Sequence, residues 1–148
     1  MSSADYDALV AAIAQRYANS AGMVEASLRR YQPFDLLRSY TAEELEPYDA
    51  LCDRYLRAVE MAIRYFRTVE RARLALNSES YRDLLGNATK WRLVADVDLW
   101  FRMRDLRNRI AHDYLPEHLL RIYEAISSEF GPELLRLRDL VTAPGVGK

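Results

Sequence analysis

The string Arg107-Asn108-Arg109-Ile110-Ala111-His112-Asp113-Tyr114 holds the side chains of this 148-residue chain best suited to chemistry. A neutral imidazole titrates near physiological pH, so His112 can take or give a proton. The Arg107 guanidinium can hold a phosphate through parallel hydrogen bonds and stabilise charge that grows in a phosphoryl transition state. RNA carries its own nucleophile, the 2′-hydroxyl, so this pair calls for no metal and no other cofactor. The spacing is more informative than the residue types. With 19 arginines and two histidines, composition alone gives about 0.26 occurrences of Arg-x4-His, about 0.02 with Tyr two residues on, and about 0.0005 with Asn after the Arg. A plainer reading stays open, in which Arg107 and Asn108 pair locally and His112 ends a helix favourably.

The segment that must position these groups reads as a helix from about Asp96 to His112. At 100° per residue, with Leu106 at 0°, Leu99, Ile110 and Met103 fall at about 20°, ~40° and ~60° and define the core face. Asn108, Phe101 and His112 fall at ~200°, ~220° and ~240° on the same wheel. Arg107, Trp100 and Arg104 fall at ~100°, ~120° and ~160°. Trp100 and Phe101 are therefore expected on the outer half of the helix, where large aromatics need a cover. That cover is expected from another helix of the chain or from a second subunit. Arg107, Asn108 and His112 would then line a groove, with Arg104 and Trp100 as further candidates to contact RNA. His118, in the first turn after Pro116, reads as a solvated surface histidine.

Around this helix the pattern is helical almost throughout. Leu9, Val10, Ile13, Tyr17, Ala21, Val24, Leu28 and Tyr31 keep a 3/4 spacing until Pro33. Thr41 and Glu44 form a capping-box start for a second helix to about Leu76, with Leu51, Tyr55, Ala58, Ala62, Phe66 and Val69 on one stripe. The arginines along it, Arg54 to Arg73, read as a solvated face. Ser80 and Asp83 start a third helix, Pro116 opens a new one, and Gly131-Pro132 reads as the close of one helix and the opening of the next. The expected fold is all-α, an antiparallel bundle of four to six helices in one domain over residues 1–140, followed by a flexible tail over 141–148.

Half of the residues are apolar, enough for one core. No apolar run approaches the ~20 residues that span a bilayer, and the first residues lack a signal peptide's pattern, so a cytoplasmic protein is expected. Cys52 is the lone cysteine and reads as a buried, inert thiol. Net charge is −1, so no global attraction to nucleic acid operates, and only the local placement of arginine carries weight.

The string Arg107-Asn108-x3-His112-x-Tyr114 resembles the signature of the HEPN superfamily, and in particular its HepT-like branch. Trp100 upstream on the motif helix and Gly131-Pro132 downstream extend the resemblance over about Ser80 to Leu140. The chain before Leu76 matches only as generic long helices. The resemblance implies a helical bundle that forms a homodimer with the two motifs facing a shared cleft. It implies metal-independent RNA cleavage, with His112 as acid/base, Arg107 on the scissile phosphate and Asn108 in support. HepT proteins are toxins paired with a small nucleotidyltransferase antitoxin of the MNT type, which silences them by attaching AMP to the motif tyrosine, here Tyr114. The Leu93–Leu106 stretch also resembles a sister group, the nucleotidyltransferase substrate-binding proteins. These share the bundle and a similar His-x-Tyr motif and need not cleave RNA.

Overall fold

A computed structural model describes residues 1–112 and 115–144. Its elements are α1 (Ser3–Arg29), α2 (Ala42–Leu74), α3 (Tyr81–Lys90), α4 (Val97–Ile110), α5 (Pro116–Ala125), a π-helical turn (Ile126–Phe130) and α6 (Gly131–Val141). No strand occurs among the described residues. The helix starts follow from short polar side chains placed to accept orphan amide protons. Ser2 and Asp5 form a capping box for α1, and Thr41 and Glu44 form one for α2. Ser80 accepts from the Asp83 amide and Asp96 from the Leu99 amide. Pro116, whose missing amide proton costs nothing in a first turn, opens α5.

The two long helices pack antiparallel, so that the start of α1 (Tyr6, Leu9) lies by the end of α2 (Thr68, Arg71). The α2 stripe of Leu51, Tyr55, Ala58, Ala62, Phe66 and Val69 is buried throughout, as its spacing requires. On α1 only Tyr17, Ala21 and Val24 are fully buried, while Leu9 is exposed. The reason is the reach of α6, which covers the second half of α1. There the Tyr17 hydroxyl donates to the Leu134 carbonyl at 2.5 Å, and Arg138 meets Glu25 at 3.2 Å.

Two expected boundaries shift. Gly131 does not close a helix: it is right-handed helical, and the chain runs through the π-helical turn into α6. Its missing side chain serves packing instead. A Cβ there would lie 2.6 Å from the Ile126 carbonyl oxygen and 2.8 Å from Leu28 Cδ1. Val141, at the start of the expected tail, is helical and buried, and residues 145–148 lie outside the described ones. Among the described residues no helix is long and apolar enough to cross a membrane. Cys52 is half-buried, and burial pushes its thiol up to about 12, so the reactive thiolate is not formed at neutral pH.

Candidate functional site

Helix α4 is fixed from two sides. From α2, the Tyr55 hydroxyl donates to the Met103 carbonyl at 2.6 Å, and the Phe66 ring meets Trp100 edge-on at 5.1 Å. From α3, the Tyr81 ring lies edge-to-face on Phe101 at 5.2 Å, and its hydroxyl donates to the Trp100 carbonyl at 3.3 Å. These contacts correct the expected orientation of the helix. Trp100 is 0% exposed and belongs to the core with Met103 and Leu106, whereas Leu99 and Ile110 are only half-buried. The core face is thus rotated towards Trp100, because α2 and α3 both pack on that side. Trp100 is accordingly no groove or RNA contact, and the cover on Phe101 is α3 of the same chain.

The remaining motif residues take distinct places. Arg107 points to α2, where it donates to Glu60 Oε1 at 2.5 Å; it is 26% exposed against 55% for Glu60. Arg104 lies 4.1 Å over the Tyr81 ring and 5.5 Å over Phe101, on which Arg82 also stacks at 4.8 Å. Such stacking fixes a guanidinium without consuming its in-plane donors. Asn108 and His112 are exposed, and α4 ends at Ile110, two residues earlier than expected. The His112 amide still donates to the Arg109 carbonyl at 2.9 Å and holds the backbone turn. Arg107, inside the helix, turns to α2. It is thus tied to α2, while His112 lies exposed just past the end of α4. Tyr114 and Asp113 lie outside the described residues.

On the other flank of α4 a groove of about 490 Å³ opens against α5 and the π-helical turn. Leu106, Ile122 and Phe130 supply its apolar part; Arg102, Arg109 and Arg121 bring three guanidiniums to it, and Asp105 a carboxylate. Arg102 is held by both carboxylate oxygens of Glu129, at 3.0 and 2.7 Å, and lies 5.6 Å over the Phe130 ring. His118 is half-buried and lines the same groove, so it is not the solvated histidine expected from its position. Sequence reasoning passed over Arg102, Arg109 and Arg121 as site residues. The signal that was present is the seven-residue spacing of Arg102 and Arg109, which puts both on the Leu106 flank. Arg121 comes from a different helix and had no such signal.

The model of the family described as nucleotidyltransferase substrate binding protein like matches residues 15–142. The chain belongs to this family. The match takes in α2 to α6, the whole of α4 and the motif, and most of α1. A nucleotidyltransferase substrate binding protein-like chain agrees at a coarse level with the HEPN-type resemblance of the motif, since the two share the helical bundle. No curated protein and no solved structure matches the chain.

Proposed function

We propose that this protein is a non-catalytic partner of a nucleotidyltransferase, holding a substrate for it. The family match over residues 15–142 carries this reading. The geometry supports it. Arg107 is already engaged by Glu60, so its guanidinium is not free to hold a scissile phosphate as it stands. A binding role needs no such contact. The test is co-expression with a small nucleotidyltransferase of the same genome, followed by affinity capture and size-exclusion chromatography. A stable complex is expected, together with normal growth when this chain is expressed alone. Failure to co-elute at micromolar concentrations would sink the reading.

A second reading is favoured by one specific observation, the Arg107-Asn108-x3-His112-x-Tyr114 string, which composition makes rare. It is a metal-independent endoribonuclease toxin of the HepT type, acting as a homodimer on RNA and countered by an MNT-type nucleotidyltransferase. In that reading one His112 takes the proton of the RNA 2′-hydroxyl. The 2′-oxygen then attacks phosphorus, and the 5′-oxygen leaves with the proton that this imidazole returns. Attachment of AMP to Tyr114 would add phosphate charge to the motif and repel the RNA. RNA incubated with purified protein in EDTA decides the matter. The toxin reading expects cleavage by the wild type that His112→Ala and Arg107→Ala both abolish, with AMP removed from Tyr114 as judged by intact mass.

A further inference from the structure

We infer that the groove between α4, α5 and the π-helical turn binds a nucleoside polyphosphate. The argument starts from charge. Arg102 is compensated by Glu129, but Arg109 and Arg121 are in no ion pair among the described residues, and both are exposed. Two uncompensated guanidiniums on facing helices suit an oxyanion that can accept from both forks, and a polyphosphate chain offers such oxygens in series. The lining is not a plain anion site, however. Leu106, Ile122 and Phe130 give it an apolar surface suited to a planar ring. Arg102 is held in place over Phe130 by Glu129 and extends that surface as a fixed cation. The Asp105 carboxylate can only accept hydrogen bonds, so it repels phosphate and selects donors such as ribose hydroxyls or an exocyclic amino group.

An anion, a flat ring and hydrogen-bond donors in one ligand describe a nucleotide. The volume of about 490 Å³ lies within the range of small-molecule sites. The groove is also on the flank of α4 away from the Arg107–Glu60 pair, so it needs no rearrangement of that pair. The inference rests on the partner reading for its biological setting: nucleotidyl transfer consumes a nucleoside triphosphate, which this groove would hold for the partner.

Titration calorimetry of the full chain with ATP, with inorganic triphosphate and with a short single-stranded RNA tests it. ATP is expected to bind in roughly the micromolar to sub-millimolar range, more tightly than inorganic triphosphate. The double variant Arg109→Gln/Arg121→Gln is expected to weaken ATP at least about tenfold. Both sites are exposed, so its melting temperature should match the wild type. Arg64→Gln, on the far face between α1 and α2, should bind ATP as the wild type does. The inference is overturned if the wild type gives no ATP binding, if the double variant binds unchanged, if inorganic triphosphate binds as tightly as ATP, or if only the RNA binds. Capture of the nucleotidyltransferase by a chain that ignores ATP overturns the groove assignment and leaves the partner reading intact; ATP binding without capture does the opposite.

Discussion

Arg107 carries the tension between a structural and a chemical role. Its partner Glu60 is more than half exposed, so the pair gains little from burial and is worth roughly 0.2–1 kcal/mol. That is small enough for a phosphate to displace the carboxylate, yet large enough to weaken phosphate binding. Glu60→Gln is therefore expected to lower stability by less than about 1 kcal/mol. It should tighten binding of a short RNA by up to about fivefold, the same free energy read as affinity. Fluorescence anisotropy with a labelled oligonucleotide, beside thermal unfolding, measures both. If Glu60→Gln and Arg107→Ala each leave RNA affinity unchanged, Arg107 serves only to tie α4 to α2. Arg104 differs in kind, since stacking on Tyr81 holds it without a competing carboxylate.

At the level of elements, the junction of α5 and α6 is built around Gly131. At Gly131 a methyl group would meet the Ile126 carbonyl oxygen of the π-helical turn and the Leu28 side chain of α1. A leucine side chain can move, but a carbonyl inside a helix cannot. Gly131→Ala is thus expected to destabilise by about 1–3 kcal/mol, lowering the melting temperature by roughly 2–4 °C for each kcal/mol. A melting temperature equal to or above the wild type would show that the turn yields freely. The same junction marks the limit of what was legible beforehand. Gly-Pro in sequence signals a break, but only the approach of α1 reveals that this glycine serves contact. Helix starts were legible because Thr41/Glu44 and Ser80/Asp83 are local signals that act within one turn. The orientation of α4 was not, because Trp100 sits at the edge of its apolar stripe. The choice between core and surface was made by Phe66 and Tyr81, residues far away in sequence. The α4–α5 groove was hidden for the same reason: Arg121 and Arg109 meet only through tertiary packing.

At the scale of the whole molecule the open question is whether two chains complete one site. Arg107 faces α2 of its own chain, and His112 lies exposed beyond the end of α4. A catalytic centre that uses both is expected to draw them from different protomers. Mixed dimers test this directly. A dimer of one Arg107→Ala chain and one His112→Ala chain contains one site with both native side chains and one with neither, if each site is shared. If each site were built within one chain, every site of that mixed dimer would lack one group. Co-refolded variants are accordingly expected to recover about a quarter of wild-type RNA cleavage, because half the dimers are mixed and half of their sites are intact. Each variant alone should be inactive. No recovery, with a wild type that does cleave, would place the Arg and His of one site on the same chain. A wild type that leaves RNA intact would favour the binding reading, and the separate places of Arg107 and His112 would need no second protomer to join them.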